Sequence, residues 1–173
     1  MASVAEVLEL DFKDKTVLDV GSSTGGFTDY ALRHGAQKVI AVEVGSKQLH
    51  PSLRGHPQIE LHEKTDIRDF TTKQNIDIVV ADVSFISLRY ILPHMAKLST
   101  KQTQIVAMVK PQFEAKKGSQ KHKGIIKNER MRRGILKAFE DWAHQHFVVL
   151  NKADSSVKGA KGNQERFYLL RKV

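Results

Sequence analysis

Cysteine is absent from all 173 residues. That removes disulfides, thiolate metal sites and every mechanism built on a cysteine nucleophile. Long apolar runs are missing as well. Nothing nears the roughly 18 consecutive apolar residues of a membrane-spanning helix, so stable membrane insertion is not expected. The opening stretch MASVAEVLELDF has neither the basic start nor the apolar core of a secretory signal, which suits a cytoplasmic protein. Eight histidines are present, yet none of their spacings is that of a metal site. His144 and His146, two apart, fall on different faces of a helix. No repeat or low-complexity tract interrupts the chain.

What is present is a folded composition with an uneven charge. Overall 28 Lys and Arg oppose 19 Asp and Glu, for +9, with 40% hydrophobic and 27% charged residues. That is the balance of one soluble domain spanning residues 1–173. Residues 1–109 hold 12 basic and 13 acidic side chains, a net of −1. Residues 110–137 hold 10 basic and 2 acidic, a net of +8, and residues 138–173 hold 6 and 4, a net of +2. Such a block is the footprint of a polyanion partner; a solvated loop and helix face would carry it equally well.

Apolar runs at residues 17–20, 38–43, 59–62, 76–81, 104–109, 147–150 and 166–170 predict seven strands. Helices are predicted over 26–34, 88–98 and 128–146, the last capped by Asn128 with Met131, Ile135, Phe139 and Trp142 on its apolar face. Residues 116–127 read as a loop. This alternation implies an α/β fold, a mostly parallel sheet covered on both faces. A last strand that forms a hairpin with 147–150 runs antiparallel.

A glycine turn, Asp19-Val20-Gly21-Ser22-Ser23-Thr24-Gly25-Gly26-Phe27, joins the first strand to the first helix. Glycines there let backbone N–H groups approach a ligand. Glu43, at the end of the next strand, is placed to accept hydrogen bonds from ribose hydroxyls. The turn is GxxxGG and lacks the dinucleotide pattern GxGxxG. An acidic residue two before the first glycine suits an adenosine ligand with a cationic end better than a pyrophosphate, which favours S-adenosyl-L-methionine over NAD. Asp19, Glu43, Asp66, Asp82 and Lys110 fall at or beyond five different strand ends, and Glu165 precedes the last strand. In a doubly wound sheet those positions converge on one rim.

The strings DVGSSTGGFTD (19–29), ADVSFISL (81–88), VKPQFE (109–114) and GNQE (162–165) closely resemble the TlyA/haemolysin A family. Its members are FtsJ-like, S-adenosyl-L-methionine-dependent ribosomal-RNA 2′-O-methyltransferases. The resemblance implies a Rossmann-like methyltransferase fold, a seven-stranded sheet with one antiparallel strand, and methyl transfer to a ribose 2′-hydroxyl of rRNA, typically on cytidine. Of the family's Lys–Asp–Lys–Glu pattern, Asp82, Lys110 and Glu165 match the last three. In the family the first Lys and a small S4-like RNA-binding domain lie upstream of the glycine turn; neither is expected within residues 1–173, where Lys13 and Lys15 lie too near the first strand to be assigned the role. The expectation is a chain that binds the cofactor but is weak or inactive as a methyltransferase, a cofactor- or RNA-binding fragment of a longer enzyme.

The glycine turn and the strand ends make Asp19, Gly21, Ser23, Thr24, Gly25, Gly26, Glu43 and Asp66 the cofactor candidates, with Phe27 able to pack near the cofactor although a core role is the simpler reading; Asp66 could equally be a turn residue. Phe85 and Phe113 flank the catalytic positions and are candidates to stack on a flipped nucleotide. The basic block then borders the substrate entrance, with Lys116, Lys117, Lys121, Lys123, Arg130 and Arg133 as candidates for phosphate contacts on ribosomal RNA or a ribosomal subunit. The haemolysin name suggests pore formation, but no amphipathic segment has a membrane face.

Overall fold

The computed structural model describes residues 2–115, 125–126, 128–157, 159 and 162–173. Among them the strands are β1 (Thr16–Val20), β2 (Lys38–Val42), β3 (Ile59–His62), β4 (Ile78–Ala81), β5 (Gln104–Val109), β6 (Phe147–Asp154) and β7 (Arg166–Lys172). The helices are α1 (Ala2–Ala5), α2 (Gly26–Arg33), α3 (Leu92–Leu98), α4 (Pro111–Glu114) and α5 (Glu129–Ala143). The strands form a single sheet in the order β3-β2-β1-β4-β5-β7-β6. Strands β1 to β5 pair in parallel, and β7 inserts antiparallel between β5 and β6. The expected architecture is the observed one.

Alternate side chains of the central strands feed two cores. Leu18, Val20, Ile40 and Val42 pack with Leu92 and Met95 of α3 and Leu136 and Phe139 of α5. Val17, Val39, Ile78 and Val80 pack on the other face with Val4 of α1 and Ala31 of α2. Burial on both faces is why the central strands read as continuous apolar runs rather than alternating ones.

Several boundaries differ from those expected. The helix foreseen over 88–98 is a 3-10 turn, Leu88–Tyr90, followed by α3. Pro93 lies in the first turn of α3, where a missing N–H costs nothing, so the helix restarts just before it. Asn128 does cap α5, its Oδ1 accepting the Met131 N–H at 3.0 Å. The buried face of α5 is rotated, however. It runs through Arg132, Leu136, Phe139 and Ala143, with Met131, Ile135 and Trp142 at its flank. Past Ala143 the chain tightens into shorter bonds, Gln145 N–H to Trp142 O and His146 N–H to Ala143 O, which ends the helix earlier. Strand β6 continues four residues beyond 150, through a bulge between Val149 and Asn151. Its tail, Asn151-Lys152-Ala153-Asp154, carries no apolar signal because it lies on the sheet edge and needs none.

Among the described residues no helix is long and apolar enough to cross a membrane, and no group of three or more His, Asp and Glu could hold a metal ion.

Candidate active site

Strand order reverses between β1 and β4, and the segments that follow them open a crevice at the carboxyl ends of the sheet. Gly21 stands there with φ 78°. A Cβ on it would lie 2.6 Å from the Asp82 carbonyl oxygen, so only glycine lets the turn after β1 seat against the segment after β4. Gly25, φ 94°, leads into α2, and a Cβ there would lie 2.5 Å from Leu53 Cδ1. Glu43 ties two loops together. Its Oε2 accepts the Ser23 N–H at 2.9 Å and its Oε1 the Gly45 N–H at 2.8 Å. Each carboxylate oxygen keeps a second lone pair for a ligand hydroxyl.

A cavity of about 520 Å³ occupies the crevice, well within the size of small-molecule sites. Of the expected cofactor residues, Gly21, Ser23, Glu43 and Asp66 line it, together with Asp82; Val44, Ile67 and Ile86 supply apolar wall. Asp66 also holds Arg68 through three hydrogen bonds of 2.6 to 2.9 Å, and the guanidinium keeps its carboxyl below the usual range. Thr24, Gly25 and Gly26 line a shallower cavity of about 330 Å³. Asp19 and Phe27 border neither cavity. The Phe27 ring packs 6.3 Å from that of Phe167, against the core on the α2 face.

Asp19 lies within β1, one residue short of the strand end, and is 1% exposed. Thr28 Oγ1 donates to its Oδ2 at 2.6 Å, whereas Oδ1 has no hydrogen-bond partner among the described residues. The nearby Ser22 hydroxyl is likewise buried without one. Burial pushes the Asp19 carboxyl up to about 7, against the Thr28 hydrogen bond and with help from the Asp82 and Glu43 charges. A buried carboxyl short of partners, two carboxylates with spare lone pairs and an apolar wall together fit an adenosine ligand with a cationic end.

Lys110 follows β5, with its Nζ 2.6 Å from Asp82 Oδ1 and 2.9 Å from Ser84 Oγ. Glu165, 9% exposed, stands just before β7. Burial raises its carboxyl, with the Lys110 ammonium opposing and the Asp82 carboxylate reinforcing that shift. The antiparallel insertion of β7 thus brings Asp82, Lys110 and Glu165 to one place at the edge of the cavity. Ser84 and Glu114 were not singled out from the sequence, although both lie in the strings ADVSFISL and VKPQFE. Glu114 accepts from Ser87 Oγ and from the Leu88 N–H, each at 2.7 Å, and its carboxyl is raised by burial. It fastens the loop that carries Asp82 and Ser84 to the short helix after Lys110. Phe85 is 89% exposed at φ 67°, a backbone state a bulky side chain rarely adopts. Its ring lies 5.2 Å from that of Phe113.

Arg130 and Arg133 are exposed on α5, whereas Arg132 between them is buried. Lys116, Lys117, Lys121 and Lys123 lie outside the described residues.

The profile of the family described as FtsJ-like methyltransferase matches residues 1–172. The 23S rRNA (cytidine-2′-O)-methyltransferase TlyA of Campylobacter jejuni is 41% identical over 92% of this chain and 63% of its own length. Hemolysin A of Brachyspira hyodysenteriae is 38% identical over 90% of this chain and 67% of its own. A solved structure from Streptococcus thermophilus with a provisional hemolysin name superposes with a TM-score of 0.93. It is 36% identical, over 99% of this chain and 64% of that one. This chain therefore spans about two thirds of the length of such relatives.

Proposed function

The chain belongs to the FtsJ-like methyltransferase family, and from that premise we propose that it transfers a methyl group from S-adenosyl-L-methionine to a ribose 2′-hydroxyl of ribosomal RNA, on a cytidine. The observation that carries this reading is the Lys110–Asp82 pair at 2.6 Å, with Glu165 beside it, on the rim of a cavity suited to adenosine.

Glu43 and Asp66 would take the hydroxyl and base side of the cofactor, and Asp19 and Ser22 its charged end. Once bound, the cofactor supplies an electrophilic methyl group on a sulfonium. The protein's own residues must hold the ribose and accommodate the hydroxyl proton. An ammonium has three donors. Ser84 accepts one hydrogen bond from Lys110 and Asp82 pairs with the ammonium through charge, which leaves donors for the developing alkoxide, where a placed positive charge lowers the barrier. Asp82, in contact with the same nitrogen, is the acceptor through which the proton can leave. Glu165 keeps the cluster electrostatically balanced around Lys110. Phe85 and Phe113 offer an exposed aromatic pair on which an unstacked base can rest, and Arg130 and Arg133 offer phosphate contacts that position RNA without reading its sequence.

No cysteine is available for base C5 chemistry, and the segment after β4 reads Asp82-Val83-Ser84-Phe85, unlike the [DN]PP[YF] of amino-group methyltransferases. The ribose oxygen is the acceptor that suits these residues. The experiment is Lys110→Ala, assayed by radiolabelled methyl transfer to ribosomal subunits and by calorimetric titration with the cofactor. Methyl transfer is expected to disappear while cofactor affinity stays within about three-fold. Normal turnover in the variant overturns the role of Lys110.

A further inference from the structure

Arg132 belongs by sequence to the basic block, between two exposed arginines, yet it points into the protein. It is 4% exposed. Its Nη2 lies 2.6 Å from Asp154 Oδ1, at the end of β6, and its Nε donates to the Gln164 carbonyl at 3.0 Å. Both partners adjoin Glu165. Asp154 is register partner to Arg166 and binds that guanidinium through both carboxylate oxygens, at 2.6 and 3.0 Å. Ser155, next to Asp154, donates its N–H to the Glu165 carbonyl at 2.9 Å. Residues 164, 165 and 166 are thus each tethered, and Arg132 reaches one tether directly and another through Asp154.

Gly159 packs close to the carboxylate: a Cβ there would lie 3.0 Å from Glu165 Oε1. A buried arginine that satisfies a carbonyl and a carboxylate at once is a rigid two-pronged bracket, and lysine cannot reproduce its fork.

We propose that Arg132 is a positioning residue for Glu165: it clamps the lead-in to β7 against α5 and β6 so that the Glu165 carboxylate faces Lys110 and Asp82. The assignment rests on the reading of Glu165 as a member of the reacting set. It also removes Arg132 from the RNA-contacting side chains, leaving Arg130 and Arg133 of its neighbours to meet phosphate.

The test uses Arg132→Gln and Arg132→Lys, each in the parent and in a Glu165→Gln background. Three quantities are read: single-turnover methyl transfer to ribosomal subunits, cofactor affinity, and the Glu165 carboxyl titration followed by carbon NMR. Arg132→Gln is expected to slow transfer about ten-fold with KM for RNA and cofactor affinity unchanged, and Arg132→Lys to recover part of the rate. In the Glu165→Gln background Arg132→Gln is expected to add no further loss, because the two act as a unit. Its Glu165 midpoint moves away from the parent value. Equal losses in both backgrounds, or a raised KM with a shallower salt dependence, overturn the proposal. If the parent chain transfers no methyl group, the functional reading fails by itself. The NMR midpoint then still decides: a shift upholds the bracket and an unmoved titration refutes it.

Discussion

Asp19 shows how one carboxyl can cost the fold something that a ligand recovers. Its folded pKa is raised from an ordinary carboxyl value to about 7, so the native state holds a proton that the unfolded chain has already released. Between about pH 4 and 7 the native state therefore binds more protons than the unfolded state, and stability falls as pH rises through that window. The full effect is on the order of 4 kcal/mol. Asp19→Asn has no charge to bury. Its melting temperature relative to the parent is expected to improve from pH 5 to about pH 7 and then level off, while its affinity for the cofactor falls. Thermal unfolding at a series of pH values checks this, and a difference that stays flat with pH refutes the assignment of the proton to Asp19. Ser22, also buried without a hydrogen-bond partner among the described residues, adjoins the same strand end and would be satisfied by the same charged ligand end.

At the scale of elements, the cap of α5 offers a clean measurement. Asn128→Ala removes the side-chain acceptor for the Met131 N–H and is expected to cost about 1 kcal/mol, or roughly 2–4 °C in Tm for a chain of this size. An unchanged melting curve counts against the cap. That cap was legible in the sequence because an Asn before a charged turn has a local cause. The central strands were legible because residues such as Val79-Val80-Ala81 are buried on both sides. The tail of β6 was not, since its pairing with β7 is decided by a partner strand and not by its own polarity. The rim carboxylates and Lys110 were found from their places after strands. Arg132 was hidden because charge alone does not say which way a helix is turned, and its partner Asp154 is supplied by another element. Phe27 had the right neighbours in sequence but faces the opposite side of the sheet.

For the whole molecule, the decisive property is where positive charge remains free. Arg132 is spent internally, and Lys110 is engaged by Asp82 and Ser84. Arg130 and Arg133 stay exposed on α5. Replacing both with Gln is expected to weaken binding to an rRNA fragment and to lower the salt slope by about two. Equilibrium binding across a series of salt concentrations measures this, and an unaltered slope excludes α5 as a phosphate-contacting face.

The insertion of β7 between β5 and β6 has a temporal meaning. A ribosome delivers residues in order, so Asp82 and Lys110 emerge well before Glu165 and its flanking strand. Until that strand arrives, β5 presents an open hydrogen-bonding edge, and β6 has nothing to pair with. Such non-local pairing is slow to form. The cluster of Asp82, Lys110 and Glu165 is therefore incomplete until β7 docks between β5 and β6, and a chain lacking β7 cannot assemble it.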